Sequence, residues 1–275
     1  MARDAGKAHP LITFTSDFGL KDYYVGAVKG VVHSIAPQAR LVDISHEIGP
    51  QNIVHGAFVL RQIWEYFPEG SIHLAIVDPG VGTNRRIIVG RYARRTIVAP
   101  DNGLVTLVHR DFPVESMIVA QNKRYFLPVV SATFHGRDIM APVAAHLANG
   151  VHAEDLGCTT DRLELLSMAT RAETVGGKVV GRALYADRFG NVITNIAEDQ
   201  VVDSSGRHRA ASLLLNGKHS VPMARTFSDV GVHEPVALIG SAGMLEIACN
   251  RGSAEARFGP VGDLVVEVQP STLRR

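Results

Sequence analysis

Residues 11–77 constrain the fold most strongly, because two hydrophobic periods alternate along them. Residues 11–16 (LITFTS), 39–45 (ARLVDIS) and 71–77 (SIHLAIV) are short apolar, β-branched runs bounded by turn residues. That is the texture of strands buried on both faces. Between the first two, Tyr24, Val25, Val28, Val31, Val32 and Ile35 recur at helical spacing over 23–35, with Asp22 as a candidate cap and Pro37 as a stop. Between the second and third, Ile53, Val54, Ala57, Phe58, Leu60, Ile63 and Trp64 line one side of a helix over 52–66. The β-α-β-α-β order predicts a layered α/β domain with a mostly parallel sheet.

Further strands are expected at 87–89 and 96–99, a turn at 100–103, and a helix over 137–147 closed by Asn149-Gly150. Residues 151–173 read as a polar connector. From Gly176 the texture changes to short strands (178–185, 192–196, 211–215, 236–239, 244–248 and 263–268) separated by Gly, Asn and Asp turns. This predicts a small all-β, barrel-like domain. The expected organisation is a frayed tail over 1–10, an α/β domain over 11–168 and a barrel-like domain over 169–275.

Composition narrows the function classes. The 275 residues carry 28 Lys+Arg against 27 Asp+Glu, a net charge of +1. A balance that even lacks the basic excess of a nucleic-acid binder. Two cysteines, Cys158 and Cys249, make neither a disulfide framework nor a zinc motif. There is no apolar run of the roughly 18 residues that a membrane span needs, and residues 1–10 carry no apolar signal core. The expectation is a cytoplasmic globular protein without membrane or nucleic-acid partners.

In an open α/β sheet, ligands gather beyond the carboxyl ends of the strands. Two of the three opening strands end in a carboxylate beside glycine, Asp17-Phe-Gly19 and Asp78-Pro-Gly80. Taken singly, each Asp serves equally well as a turn or helix cap; two at adjacent strand ends point to a site. The loop from Asp78 to Arg86 is glycine-rich, but it has neither phosphate-loop spacing and it leads into a strand. His135 opens a predicted helix in Phe134-His-Gly-Arg-Asp138, a place where histidine also serves as a surface or cap residue. In the second half, Tyr185-Ala-Asp-Arg-Phe-Gly-Asn191 packs a carboxylate, an amide and a glycine into one tight turn, and Glu246 sits inside an apolar strand after Gly240-Ser-Ala-Gly243.

Six motifs in order carry a resemblance: Thr15-Ser-Asp-Phe-Gly19, Val77-Asp-Pro-Gly-Val-Gly-Thr83 with Arg85, Ala99-Pro-Asp-Asn-Gly103, Phe134-His-Gly-Arg-Asp138, Asp187-Arg-Phe-Gly-Asn191 with Thr194-Asn195, and Leu245-Glu-Ile-Ala248. From Leu11 to Val268 the chain resembles the S-adenosyl-L-methionine (SAM) hydroxide adenosyltransferases, or SAM hydrolases, which are related to the SAM-dependent fluorinase and chlorinase. The resemblance implies a homotrimer whose active sites lie between the N-terminal domain of one subunit and the C-terminal domain of its neighbour. It implies hydrolysis of SAM to adenosine and L-methionine by attack of water or hydroxide at ribose C5′.

By that resemblance Asp78, Arg85 and His135 are the catalytic set that holds the water. Asp17 would hold the ribose hydroxyls, Asn191 the adenine and Asp187 the methionine ammonium. Ser241 and Glu246 fall on further substrate-pocket positions, and backbone from Ala248 to Arg251 edges the adenine. No metal or cofactor is implied, since SAM is the substrate. The chain departs from the halogenases at Asp78, where they carry Tyr, at His135-Gly136, where the fluorinase has Tyr-Ser, at Gln51, where it has Trp, and at Ala242, where they use Arg on the methionine carboxylate. Three other readings compete: a halogenase-like transferase, a non-catalytic adenosine or SAM sensor, and a metal-dependent hydrolase using Asp17, Asp78 and His135.

Overall fold

The computed structural model describes residues 9–167, 171–203, 205, 207 and 210–268. Most of the expected tail at 1–10, and the last seven residues, lie outside the described residues. The chain divides into two compact units, Met1–Leu166 and Ser167–Arg275.

The first unit follows the alternation read from the sequence. Strand β1 (Leu11–Ser16) leads through α1 (Tyr24–Ile35) to β2 (Arg40–Ser45), then through α2 (Ile53–Ile63) to β3 (Ile72–Ile76). The rest of the unit is β4 (Ile87–Tyr92), β5 (Arg95–Pro100), α3 (Thr106–Asp111), β6 (Val114–Ala120), a single π-type stretch at Gly136–Met140, α4 (Ala141–Ala148) and β7 (Gly157–Thr159). The seven-stranded sheet has the order β2-β1-β3-β5-β4-β6-β7.

The sheet is mixed, not mostly parallel. The pairs β2-β1, β1-β3 and β3-β5 are parallel, whereas β5-β4, β4-β6 and β6-β7 are antiparallel. For the β5-β4 pair the cause is connection length. A parallel pair needs a crossover of about a dozen residues, but only Ala93 and Arg94 join β4 to β5. Both have positive φ (44° and 62°), which makes the tight hairpin that matches strand twist. The expected connector at 151–173 also holds β7, which completes the sheet edge against β6.

Period two along β3 divides the core. Leu74 and Ile76 pack with Val25, Val28 and Val32 of α1 and Val143 of α4. Ala75 and Val77 pack on the other face with Leu60 of α2 and Val108 of α3. Helices α1 and α2 therefore cover opposite faces, and the chain changes direction between β1 and β3, the switch point where such sheets open a crevice. Helix α1 begins one residue later than expected, with Tyr23 at the cap position and no side-chain cap, so Asp22 does not cap it. Asn52 does cap α2, accepting the His55 N–H at 2.9 Å.

The second unit holds β8 (Glu173–Val175), β9 (Lys178–Ala186), β10 (Val192–Ala197), the short helix α5 (Glu198–Val201), β11 (Ser212–Leu215), β12 (His219–Pro222), β13 (Pro235–Ile239), β14 (Met244–Cys249), α6 (Ala254–Phe258) and β15 (Val265–Val268). Its sheet runs β12-β11-β15-β9-β10-β14-β13, with antiparallel pairing throughout. The Ala224 N–H donates to the Ala237 carbonyl at 2.9 Å beyond the end of β12, so the sheet is nearly closed on itself. Val192, Ile196, Leu213, Leu215, Ile247 and Val266 fill its interior. Among the described residues, no helix is long and apolar enough to cross a membrane.

Candidate active site

Because β1 and β3 are adjacent and parallel, their carboxyl ends deliver Asp17 and Asp78 to the same sheet edge. There a cavity of about 360 Å³ is lined by Asp17, Phe18, Gln51, Asp78, Phe134 and His135, among others. The Asp78 backbone is fixed from below: the Asn102 side chain donates to the carbonyl of Val77 at 2.9 Å. Beyond Asp78 the chain turns tightly, with the Thr83 N–H and hydroxyl both reaching the Gly80 carbonyl at 3.1 and 2.7 Å. The turn returns Arg85 across Asp78.

Arg85 is the hub. Its Nε donates to Asp78 Oδ1 at 2.7 Å and its terminal nitrogen to Asp78 Oδ2 at 2.5 Å, a bidentate pair with both side chains almost buried. The same terminal nitrogen lies 3.0 Å from His135 Nδ1. A guanidinium only donates, so Nδ1 must be the acceptor and the proton of the neutral ring sits on Nε2. Burial and then the Arg85 charge hold the His135 pKa below its ordinary 6.5, against opposing pulls from Asp78 and Asp138. The structure brings Asp78, Arg85 and His135 together through the Arg85 guanidinium.

Asp17 is placed differently. Its Oδ2 accepts the Gln51 backbone N–H at 2.8 Å, and Gln51 takes a left-handed conformation (φ 61°) just before the cap of α2. Burial raises the Asp17 pKa, the Gln51 N–H lowers it, and the nearby charge of Asp78 raises it again. The Asp17 carboxylate lines the cavity.

Behind Asp17, the hydroxyl of Ser16 lies 2.8 Å from His46 Nδ1, and His46 Nε2 lies 3.1 Å from Asp43, an ion-pair contact that does not meet hydrogen-bond geometry. The order Ser-His-Asp imitates a nucleophile triad. Ser16 is completely buried, so its hydroxyl cannot meet a substrate. The His46 carbonyl also accepts the Gly19 N–H at 2.7 Å, which pins the turn that carries Asp17. Neither this brace nor the Asn102 contact was apparent from sequence; the only signal was an Asn before Gly103 in a turn.

The other four expected residues belong to the second unit. Asp187 and Asn191 face one cavity of about 670 Å³ with Phe189, Phe227, Cys249 and Arg251. The Asp187 carboxylate builds the β9–β10 turn: Oδ1 accepts the N–H groups of Phe189 and Asn191 at 2.8 and 2.9 Å, and Oδ2 accepts the Asn191 side-chain amide at 3.0 Å. The Asn191 amide is thereby oriented, with its carbonyl oxygen left for a partner. Glu246 stands on β14, where burial and then the Asp187 charge raise its pKa. It fits because residue 240 is glycine: a Cβ there would lie 1.7 Å from the Glu246 carboxylate. Ser241 is exposed in the β13–β14 turn and does not line the Asp187–Asn191 cavity. Among the described residues, no group of three His, Cys, Asp or Glu side chains is arranged to hold a metal ion.

Comparison with known proteins gives a consistent result. The SAM hydroxide adenosyltransferase N-terminal domain model matches residues 12–157, and the corresponding C-terminal domain model matches residues 181–265. A Thermus thermophilus protein named (R)-S-adenosyl-L-methionine hydrolase is 42% identical over 255 residues, 90% of this chain and 95% of that one. One of the same name from Salinispora arenicola is 37% identical over 89% of this chain and 92% of its own. A fluorinase of an Actinoplanes species is 28% identical over 94% and 97%. The crystal structure of an uncharacterised conserved protein from Thermotoga maritima superposes with a TM-score of 0.83 at 36% identity, covering 94% of this chain and 99% of that one. The chain thus belongs to the SAM hydroxide adenosyltransferase family.

Proposed function

We propose that the protein hydrolyses S-adenosyl-L-methionine to adenosine and L-methionine by attack of water at ribose C5′. The observation that carries this reading is the Arg85 clamp, which holds the Asp78 carboxylate and the His135 ring side by side next to Asp17. A new O–C5′ bond forms as the C5′–S bond breaks; its electron pair neutralises the sulfonium, and methionine leaves as a thioether. A neutral leaving group needs no acid, metal or cofactor.

The difficult part is to align a weak nucleophile, and positioning supplies about 7–11 kcal/mol in favourable cases. Each Asp78 oxygen keeps a lone pair beyond its bond to Arg85, so Asp78 accepts the water proton. With Nδ1 engaged by Arg85, His135 orients the water through its Nε2–H. Asp17 grips the ribose hydroxyls through its carboxylate. Asn191, oriented by Asp187, reads the adenine edge; Asp187 binds the methionine ammonium, and Ser241 and Glu246 serve further substrate-pocket positions. In this reading the second-unit residues come from a neighbouring subunit of a homotrimer.

The names of relatives at 36–42% identity support the hydrolase over the halogenase, and so does the charge of Asp78. Two like charges 4 Å apart repel by about 4 kcal/mol at an effective dielectric constant of about 20, which disfavours a halide beside Asp78.

The test is incubation with each sulfonium epimer of SAM and chromatography of the products. Adenosine and methionine are expected in equal amounts, with no 5′-halo-adenosine when chloride or fluoride is added. Asp78→Asn is expected to lower kcat by about 100-fold or more while adenosine binding stays within about threefold. Intact SAM, or full turnover in both Asp78→Asn and His135→Ala, refutes the proposal.

A further inference from the structure

The π-type stretch at Gly136–Met140 immediately follows His135, and π-turns in helices are frequent at functional sites. Its third residue, Asp138, is completely buried, yet it is not among the residues the reaction uses. A buried carboxylate is costly unless it is fully partnered. Here burial pushes the Asp138 pKa up, but the Arg137 guanidinium and the Ser131 N–H outweigh it and hold the group below the ordinary carboxylate range.

The partners show what the charge does. Asp138 Oδ1 and Oδ2 accept from Arg137 at 2.6 and 3.1 Å. Oδ2 also accepts the Ser131 backbone N–H at 2.8 Å, and the Asp138 carbonyl accepts the Leu127 N–H at 2.9 Å. The guanidinium of Arg137 in turn lies over the Phe134 ring at 4.8 Å. Asp138 therefore ties residue 127 through its carbonyl and residue 131 through its carboxylate, and its own N–H donates to the Phe134 carbonyl at 3.0 Å.

That segment touches the other half of the catalytic set. A Cβ on Gly82 would lie 2.5 Å from the Ala132 carbonyl oxygen, so the segment rests directly on the turn that returns Arg85 to Asp78. We propose that Asp138 is a positioning residue for the reaction: by strapping residues 127–134 to the start of the His135 helix, it holds the His135 side of the site against the Asp78–Arg85 turn. The inference rests on the roles proposed above for Asp78, Arg85 and His135. Phe134 of the strap lines the cavity beside His135, but Asp17 and its brace stand on other elements, so the strap acts on turnover more than on substrate grip.

The test compares wild type with Asp138→Asn in two readouts, steady-state kinetics with SAM and amide hydrogen exchange. Asp138→Asn is expected to accelerate exchange over residues 127–134 and to lower kcat by about tenfold or more, with KM within about threefold. Arg137→Met, a change at a partly exposed position, guards against misfolding of the buried variant and is expected to act in the same direction by about two- to fivefold. Unchanged exchange over 127–134 in both variants overturns the strap whatever the activity. Accelerated exchange with kcat unchanged, or a loss confined to KM, overturns the positioning role. A wild-type chain that leaves SAM intact overturns the hydrolase reading itself, and the exchange measurement then judges the strap alone.

Discussion

Arg85 does two jobs that no other residue type does as well. Its planar fork binds both oxygens of Asp78 and its terminal nitrogen reaches His135, whereas a lysine ammonium has no fork with which to pair a carboxylate in plane. The arrangement works only while His135 is neutral, because a proton on Nδ1 would face the guanidinium. Turnover should fall as the solution is made acidic, and the limb should lie below pH 6.5, since burial and Arg85 depress the His135 pKa from that value. The sign can be tested directly. Arg85→Gln removes a positive charge that lowers the pKa and leaves Asp78, which raises it. The limb should therefore move to higher pH as overall turnover falls. A kcat–pH profile of the two proteins checks this; a limb that stays in place or moves to lower pH removes His135 from control of the acid side.

At the scale of elements, the turn after β3 shows how closely backbone and site are coupled. Gly82 has φ +81° and faces the Ala132 carbonyl. An alanine there has both an unfavourable conformation and a backbone oxygen in the way of its Cβ, and neither yields to a rotamer change. Gly82→Ala should lower stability by about 1–3 kcal/mol. It should lower kcat by a larger factor than an equally destabilising core truncation such as Leu74→Ala, a contrast that paired kinetic and urea-unfolding measurements resolve.

The same elements show what was legible in the sequence. The strands that end at Asp17 and Asp78 could be read because their apolar runs are continuous, and the parallel pairing followed from the helices between them. The antiparallel half of the sheet could not: it depends on a two-residue turn, Ala93-Arg94, that lacks the usual Asn or Gly and takes left-handed backbone with ordinary residues. β7 was hidden in three residues of a polar stretch, too short for any period to register. Within the site, side-chain identities gave Asp78, Arg85 and His135 through the family resemblance. The backbone groups that fix the strand ends, the Gln51 N–H on Asp17 and the Val77 carbonyl before Asp78, have no residue signature.

For the whole molecule, the question is what completes the two cavities. Tyr24, which lines the first-unit cavity, is 38% exposed, and Phe189, which lines the second-unit cavity, is 76% exposed. Large apolar side chains left uncovered around polar clefts are what interacting surfaces look like. If the chain assembles as the homotrimer proposed above, scattering measurements should give a particle of three times 29.6 kDa. Mass alone does not show where the sites lie, but a mixing experiment does. Asp78→Asn disables the first-unit cluster and Asn191→Ala the second-unit cluster, so each homotrimer should be nearly inactive. If each site draws its two clusters from different subunits, unfolding and refolding an equal mixture pairs an intact first unit with an intact second unit in about a quarter of sites, and activity returns to about that fraction of wild type. If both clusters belong to the same chain, every site in the mixture carries one defect and no activity returns. Recovery thus separates a site shared between subunits from a trimer whose interfaces lie elsewhere.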